Sequence, residues 1–392
     1  MNIHNYERRY ERVLERIKTN PNISEQDKKI ILKFNDYCLS DGIGIAKIER
    51  YLGDTMKFSG MLKKPFSEAN KEDIRRVIGD LNQMGLAEET KRCFKIMLRK
   101  LYRIIRGIEE KGEYPEEVKW ISLKLTSSHK KLPEELLTEE EIIKIIQKTE
   151  KVRDRAMLSV LAESGCRISE VGTMQIKHVS FEQYGARLTV NGKTGMRKIL
   201  VINCTPYLQE WINQHPFNDN SESYLWIAPN GEFLSYTRIS TILKESVKRA
   251  GIKKRVYPHL FRHSRATLLA NIMSDSALKN YLGWTQGSNM ARVYIHMSGK
   301  ETDNSILELN GIKVDKEKKE SKLKPKACIR CHTINEVTNR FCKLCGLVLN
   351  KEEADKIVEE DFKRKQADDV MNKLVNDPEI LELIKKKLSD NS

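Results

Sequence analysis

The sequence predicts a mainly α-helical protein that carries one small antiparallel β-sheet, an α+β organisation. Apolar residues recur at helical spacing along most of the chain, whereas strand-like segments occupy only residues 176–202. Four of the eight cysteines cluster in one short C-terminal stretch, which indicates a separate small module. The 392 residues are enough for two or three domains, each with its own core.

The first predicted domain, residues 24–112, is a compact set of amphipathic helices. One helix is expected to begin after Asn70, with Asp73 three residues later in a capping arrangement. The longest helix, 88–108, is apolar on one side and strongly basic on the other. Four of its cations are expected to contact nucleic-acid phosphates, with a solvated basic face as the alternative: Lys91, Lys95, Arg99 and Arg103.

Residues 112–133 lack periodicity and are expected to link this domain to a second one, residues 133–310. The second domain opens with a capping box formed by Thr138 and Glu141. A glycine-containing turn is expected to join its last two strands as a hairpin. The predicted helices cover 153–163, 235–250, 259–271 and 275–282, and the predicted strands cover 176–181, 187–190 and 199–202.

The charge of the chain favours a polyanionic partner. Its net charge is +15 and its pI is about 9.3, which most often indicates nucleic-acid binding, although a lysine-rich proteome is the alternative. No apolar stretch is long enough to span a bilayer, and the polar residues 1–10 do not resemble a secretory signal. We therefore expect a cytoplasmic, nucleoid-associated protein with no membrane partner.

Five short stretches of the second domain hold polar residues in contexts that suit chemistry. Arg167 follows Gly165 at the start of a helix, where backbone N–H groups favour an anion. Each stretch has an ordinary structural alternative, such as an ion pair of Arg167 with Glu170, a solvent-exposed turn lysine or a core aromatic residue. The five stretches centre on Arg167, on Lys193, on His259 with Arg262, on Trp284 and on Tyr294.

Together these stretches resemble the motifs of the tyrosine recombinase (phage integrase) family, over about residues 25–300. The similar segments are Gly-Cys-Arg-Ile-Ser-Glu, His-Leu-Phe-Arg-His, Leu-Gly-Trp and Arg-Val-Tyr-Ile-His, in that order. The tryptophan stands where most members have histidine, and the segment from Gly283 to Tyr294 most resembles archaeal integrases. The resemblance implies a helical SAM-like core-binding domain followed by a tyrosine recombinase catalytic domain.

The resemblance also implies a reaction, site-specific DNA recombination through a covalent 3′-phosphotyrosine on Tyr294. Arg167 and Arg262 are then expected to clamp the non-bridging oxygens of the scissile phosphate, since their planar guanidinium groups can bind them bidentately. No nucleotide and no catalytic metal are expected. The implied assembly is a homotetramer on two double-stranded DNA sites. A type IB-like topoisomerase and a non-catalytic zinc-ribbon DNA-binding regulator are the alternatives.

The remaining site residues are expected to support this chemistry. His259 would share the phosphate or move a proton, and Lys193 would donate a proton to the leaving 5′ oxygen. Arg197 and Lys198 lie on the same hairpin and remain alternatives to Lys193. The resemblance further implies that Glu170 orients its neighbours and that Trp284 donates its indole N–H to the phosphate.

The cysteine cluster predicts a metal site in a zinc ribbon, residues 327–349. Two Cys-x-x-Cys pairs separated by ten residues can supply four thiolates, a set that suits a structural zinc ion. A rubredoxin-like iron site and a redox dithiol pair are the alternatives. A charged linker, 311–326, precedes this module, and a helix over 351–389 follows it. The four expected ligands are Cys328, Cys331, Cys342 and Cys345.

Overall fold

The computed structural model describes residues 3–110, 112–124, 133–192, 194–298, 310, 321–349 and 351–376. Contacts divide the chain into two units, Met1–Lys131 and Leu132–Ser392. The predicted proton donor Lys193 lies outside the described residues. Within the described ranges, no helix combines the length and the apolar composition needed to cross a bilayer.

In its described residues, the first unit consists of helices and their connections around one hydrophobic core. Aromatic side chains such as Phe34, Phe58 and Tyr102 are fully buried in it. The predicted capping box is confirmed, because Asn70 accepts a hydrogen bond from the backbone N–H of Asp73, whose carboxylate accepts one from Asn70. The helices are α1 (Tyr6–Thr19), α2 (Glu25–Ser40), α3 (Ile45–Leu62), α4 (Lys71–Gln83), α5 (Glu88–Ile105) and α6 (Glu116–Lys119).

Two segments outside the predicted 24–112 domain also pack into this unit. The first helix, α1, buries Ile17, and its Tyr10 hydroxyl donates a hydrogen bond to Asn35 at 2.8 Å. Val118 and Ile121 are buried in the same core. The stretch 112–124, expected to be linker, is therefore a folded part of the unit.

The second unit combines helices with a three-stranded antiparallel sheet in the order β1-β2-β3. The hairpin is confirmed, with Gly192 opposite Gly195 at its end. The mainly helical α+β class predicted from the sequence is thus correct. The helices are α7 (Glu139–Gln147), α8 (Val152–Ser164), α9 (Ile168–Gly172), α10 (Thr205–Asn213), α11 (Tyr236–Arg249), α12 (Pro258–Ala270), α13 (Asp275–Leu282) and α14 (Met290–Ser298), and the strands are β1 (Val179–Glu182), β2 (Gly185–Gly192) and β3 (Gly195–Val201).

Helix α8 is the centre of this unit. It is buried along nearly its whole length and packs against α10, α12 and β3. It ends at Gly165, whose φ of 59° is the left-handed conformation that glycine adopts without strain. A Cβ at Gly165 would also lie 3.2 Å from the side chains of Arg265 and Leu282. The glycine therefore lets the chain turn closely beneath α12 and α13 and start α9.

The four-cysteine module belongs to the second unit. It contains a two-stranded sheet, β4 (Lys326–Ala327) with β5 (Ile334–Asn335), and is followed by the helix α15 (Lys351–Asn376). Residues 321–326 were expected to be linker, but Leu323 is buried and the Ser321 hydroxyl donates a hydrogen bond to Glu139. The module is therefore fastened to the start of α7, whereas the rest of that linker, 311–320, lies outside the described residues.

Candidate active site

Arg167 is held at the start of α9 by Glu170. Its guanidinium donates to Glu170 Oε1 at 2.9 Å, and its backbone N–H donates to Oε2 at 2.9 Å. A second guanidinium bond, of 3.2 Å, goes to the carbonyl oxygen of Gly283. The Arg167 side chain keeps 29% of its surface exposed. It is therefore fixed in direction and still open to an anion.

Glu170 is a buried carboxylate between two arginines. Its side chain is only 1% exposed, and Arg197 of β3 approaches from the other side with bonds of 2.8 and 3.1 Å. Burial by itself raises the pKa of Glu170, but the hydrogen bonds and charges of Arg197 and Arg167 outweigh it and hold the pKa below its usual value. Glu170 therefore stays ionised and orients Arg167.

Two glycines make room for this arrangement. A Cβ at Gly192 would lie 2.2 Å from Glu170 Oε1, and a Cβ at Gly283 would lie 2.6 Å from Arg197 Nη1. Thr194, which follows Lys193 in the chain, donates its hydroxyl to the carbonyl oxygen of Gly283 at 3.2 Å. Both described neighbours of Lys193 thus lie against the residues that hold Arg167.

Arg262, on α12, is buried behind these groups. It is 2% exposed, and its guanidinium donates to the carbonyl oxygens of Gly165 at 2.9 Å and Leu282 at 2.7 Å. Burial, followed by the positive charge of Arg167, lowers the pKa of Arg262 to about 10. The group is still positively charged at neutral pH, so two guanidinium groups converge where α9, α12 and α13 meet.

Tyr294, on α14, completes the cluster. It is 2% exposed and its ring stacks on Trp284, with centroids 5.5 Å apart and planes 10° apart. The Arg262 guanidinium lies 5.3 Å from the same indole ring. Burial raises the pKa of Tyr294, and the charge of Arg262 partly opposes this effect. Trp284 is therefore the side chain that both the second arginine and the tyrosine contact.

The structure adds His263, which was not among the predicted site residues. Its Nδ1 lies 2.6 Å from the Tyr294 hydroxyl. Its ring also meets that of His259 edge to face, with centroids 4.8 Å apart. His259 itself is exposed. The sequence carried the signal, because the two histidines are four residues apart and so share one face of α12.

Arg197, one of the alternatives to Lys193 in the sequence, has a structural role that the alternation along β3 could have revealed. Ile199 and Val201 face the core, so Arg197 must point inward as well, and an inward arginine needs a partner. Its Nε donates to the carbonyl oxygen of Tyr281 at 3.0 Å. Lys198 is exposed on the other face. Arg197 thus joins the hairpin to Glu170 of α9 and to Tyr281 of α13.

The basic helix α5 differs from its prediction. Lys91 is buried and donates to Glu88 at 3.0 Å, and buried Arg103 donates to the carbonyl oxygens of Glu109 and Glu110. Neither lies on an exposed basic face, because each side chain satisfies acceptors within its own unit. Lys95 and Arg99 are half-buried, and the Arg99 guanidinium stacks on Tyr114 at 3.7 Å.

The four predicted cysteine ligands come together. Their Sγ atoms all lie within 4.8 Å of one another, with 3.5 Å between Cys328 and Cys345 and between Cys331 and Cys342. Four thiolates bound tetrahedrally to one zinc ion stand about 3.8 Å apart. Shifts of up to about 1 Å in the Sγ atoms would bring this thiol cluster to that geometry.

Both turns of the cysteine module have the same backbone. The N–H of His332 donates to the carbonyl oxygen of Cys328, and that of Gly346 donates to Cys342, each at 2.9 Å. His332 and Gly346 both have positive φ, 56° and 71°. His332 therefore occupies the position that a glycine fills in the second turn, and it is not one of the four converging residues.

Comparisons with known proteins agree with this geometry. The Phage integrase family model matches residues 135–301. The chain is 26% identical to a tyrosine recombinase of Thermosipho africanus, over 72% of this chain and 99% of that protein. It is 27% identical to the tyrosine recombinase XerA of Pyrococcus furiosus, over 72% of this chain and 94% of that protein.

Solved structures share the fold. The post-cleavage complex of XerH with palindromic difH DNA covers 79% of this chain and 97% of its own, at 19% identity and a TM-score of 0.56. The structure of a lambda integrase dimer bound to a COC′ core site matches 72% of this chain and 81% of its own chain, at 17% identity and a TM-score of 0.57. Residues 135–301 thus match the phage integrase family, and the chain is similar to tyrosine recombinases over 72% of its length.

Proposed function

We propose that this chain is a site-specific recombinase that cleaves and rejoins double-stranded DNA through a 3′-phosphotyrosine on Tyr294. One observation carries the proposal: Tyr294 stacks on Trp284, whose ring also contacts the buried guanidinium of Arg262. Arg167 joins the same cluster through its bond to Gly283, the residue before Trp284. A tyrosine beside two arginines suits attack on a phosphate, because the cations stabilise charge on its oxygens.

The two arginines act on the scissile phosphate as the reaction proceeds. Tyr294 Oη forms a bond to phosphorus while the bond to the 5′ oxygen breaks, and the guanidinium groups of Arg167 and Arg262 stabilise the non-bridging oxygens. Arg262 exchanges a carbonyl hydrogen bond for one to the phosphate. Rejoining reverses the step on another 5′ end, so the phosphotyrosine conserves the bond energy and no nucleotide is consumed.

The other predicted residues take supporting roles. Lys193 gives a proton to the leaving 5′ oxygen, because Arg197 is committed to Glu170 and Lys198 faces away. His259, exposed at the rim, donates to the phosphate, and Trp284 does so from its indole N–H. In the helical unit, Lys95 and Arg99 contact the DNA backbone.

The cysteine module is proposed to bind zinc with a structural role. Four thiolates complete a tetrahedral shell and leave no open position for a substrate. Bound zinc would cross-link the two turns of a module too small to have a large core. Metal analysis of the purified protein separates zinc from iron. If the metal-free protein instead forms disulfides reversibly, the module is a redox dithiol pair.

The proposed assembly is a homotetramer on paired DNA sites, working at the nucleoid in the cytoplasm. A lambda integrase tetramer on a Holliday junction, TM-score 0.55 and 16% identical, supports the proposed assembly. Light scattering of the DNA-bound protein tests it.

A trapping experiment tests the proposed function. The protein is incubated with a pool of nicked duplexes of random sequence, and adducts that survive detergent are isolated and sequenced. Wild type is expected to form adducts and Tyr294→Phe none, while Tyr281→Phe, a tyrosine outside the nucleophile position, keeps them. A non-catalytic regulator forms no adduct at all. The last control is a supercoiled plasmid that lacks the captured sequence. A topoisomerase relaxes this plasmid, whereas a site-specific recombinase leaves it supercoiled.

A further inference from the structure

The cysteine module carries an uneven share of the charge of the chain. Residues 321–349 contain six lysine and arginine residues and one carboxylate, that of Glu336. Glu336 is only 5% exposed and shares a cavity with Glu210 of α10. The module therefore shows no carboxylate to solvent. Its net charge of +5, on 29 residues, is a third of the +15 of the whole chain.

The two cysteine turns present cations together with apolar side chains. In each Cys-x-x-Cys turn, one of the two middle residues is a cation and the other is aliphatic. Ile329 of the first turn is 86% exposed, and Leu344 of the second is 71% exposed. We call the exposed residues of the turns and of the two positions before the second turn the tip surface: Ile329, Arg330, Arg340, Phe341 and Leu344.

The module meets the rest of the unit through other residues. Its backbone at residue 322 donates a hydrogen bond to Glu139 of α7, and its Thr338 contacts Tyr207 of α10. Arg155, near the start of α8, lines the same cavity as Glu336, whereas the proposed phosphate clamp begins beyond the other end of that helix. From Arg155 to the end of α8 is about 15 Å, at about 1.5 Å per residue. DNA that reaches the module therefore extends past the cleaved phosphate.

The acidic helix α15, which follows the module, is an alternative partner for this charge within the chain. Its carboxylates Glu359 and Asp361 instead pair with Lys363 and Lys365 of the same helix, at 2.7 and 3.2 Å. All four side chains are exposed. These carboxylates are thus engaged within α15, and the charge of the module favours a polyanion from outside the chain.

We propose that the tip surface binds duplex DNA beyond the cleaved segment, an inference that takes its partner from the proposed recombinase function. A duplex offers about one negative charge per 1.7 Å of its axis, which suits a surface that has cations and no carboxylate. Arg330 and Arg340 bind phosphates, and Ile329 and Leu344 contact the sugars between them. Since such contacts do not read the bases, the module adds affinity and not sequence specificity.

Binding to two duplexes tests the inference, in a Tyr294→Phe background so that no strand is cut. The trimmed duplex is the captured duplex shortened from both ends until cleavage by saturating wild-type protein begins to slow. The long duplex continues it by about 15 base pairs on each side, roughly 50 Å, which exceeds the length of α8. Fluorescence anisotropy at several salt concentrations gives the affinity for each duplex and its salt dependence.

The test variant is Arg330→Gln with Arg340→Gln, which removes two charges from the tip surface. Its matched control is Lys244→Gln with Lys248→Gln, which removes two exposed charges from α11 in the same unit. Arg330→Gln alone is the milder variant. Metal content, circular dichroism and cleavage of the trimmed duplex with Tyr294 restored check that each variant is folded.

The plot of log affinity against log salt concentration should be steeper on the long duplex than on the trimmed one. The expected difference is about two, because each phosphate contact contributes about 0.9. The double arginine variant should lose this difference, Arg330→Gln about half of it, and the lysine control none. Between about 50 and 200 mM salt, the Tyr294→Phe protein should lose roughly tenfold more affinity for the long duplex than the double variant does.

Two results overturn the inference while the proposed function stands. The first is a double arginine variant that keeps the affinity and salt dependence on the long duplex, as expected if the tip surface meets an acidic protein instead. The second is an equal loss on both duplexes, which places the two arginines at the cleaved segment. Absence of a wild-type adduct overturns the proposed function instead. The tip surface is then judged on long and short duplexes of arbitrary sequence, because phosphate contacts carry no sequence information.

Discussion

Arg197 and Glu170 join the β2–β3 hairpin to the start of α9 through two hydrogen bonds, of 2.8 and 3.1 Å. The same carboxylate holds Arg167 at 2.9 Å, so one buried acid sets the position of both the hairpin and the proposed phosphate clamp. The geometry couples the loop that carries Lys193 to the arginine that binds the phosphate. Glu170 and Arg197 are therefore positioning residues for the proposed reaction.

Arg197→Ala is expected to destabilise the second unit and to slow cleavage. Removing one partner of a buried pair leaves the other charge under-compensated and costs about 3 kcal/mol. The matched control is Arg187→Ala, on the same hairpin, where the ion pair with Glu182 is well exposed and contributes at most about 1 kcal/mol. Urea unfolding measures both variants. If Arg197→Ala and Arg187→Ala lower the free energy of unfolding equally, the role assigned to Glu170 is contradicted.

Gly283→Ala is expected to abolish cleavage, while Gly287→Ala is tolerated. The added Cβ at Gly283 would press on the Arg197 guanidinium, and the φ of 64° is one that alanine rarely adopts. The space around Gly287 is open. Single-turnover adduct formation is the measurement. A Gly283→Ala variant as active as Gly287→Ala would show that the hairpin contact is dispensable.

Two substitutions at Trp284 distinguish the contribution of ring stacking to the cleavage rate from that of the indole N–H. Trp284→Phe keeps an aromatic face for Tyr294, whereas Trp284→Ala removes it. Because an aromatic pair contributes about 0.5–1.5 kcal/mol, Trp284→Ala should cleave up to about tenfold more slowly than Trp284→Phe. The readout is again adduct formation, with duplex binding as the control for the phosphate contact. If the two variants are equally slow, the indole N–H and not the stacking carries the role of Trp284.

Local signals in the sequence predicted the features that depend on a few neighbouring residues. Both capping boxes, at Asn70 and Thr138, are present as expected, because a cap involves only four consecutive residues. The hairpin follows from its turn residues in the same way. Helix α10 was not predicted, although its buried residues Tyr207, Leu208 and Trp211 recur at helical spacing.

The features that sequence reasoning missed depend on long-range contacts. Lys91 is basic in the sequence, yet it is buried because its ammonium group donates hydrogen bonds to the carbonyl oxygen of Asn82 and the carboxylate of Glu88. The contact of His263 with Tyr294 joins residues 31 positions apart, on two helices whose packing the sequence does not display. Partners of this kind appear only once the helices are assembled.

His332→Gly is expected to stabilise the cysteine module. The φ of His332 is 56°, and a non-glycine residue in this left-handed region costs about 1 kcal/mol. Gly346→Ala places the reverse change at the equivalent position of the second turn, where φ is 71°, and is expected to weaken metal retention. Competition with a chromogenic chelator measures both. Faster metal loss from His332→Gly would instead assign the imidazole a part in the site.

The cysteine module also contacts α10, where the Tyr207 hydroxyl lies 2.9 Å from that of Thr338. This docking is expected to weaken as the pH rises toward 7 and beyond. Burial and then the Glu210 carboxyl raise the pKa of Glu336 to about 7, while Arg155 and Lys343 oppose the shift. A raised pKa means that the docked state prefers the protonated acid. The contribution of Glu336 to docking is therefore fully present below the ordinary glutamate pKa of 4.5. It is lost as the pH rises through its raised pKa of about 7.

Hydrogen exchange of residues 321–349, corrected for the intrinsic effect of pH, measures this docking. Protection in wild type should be lower at a pH above 7 than below it. Glu336→Gln, which stays neutral, should keep its protection across that range. Tyr207→Phe is the control, because it removes only the hydroxyl contact with Thr338, of 2.9 Å, and so should lower protection equally at both pH values. A pH dependence that survives in Glu336→Gln would assign the effect to another group.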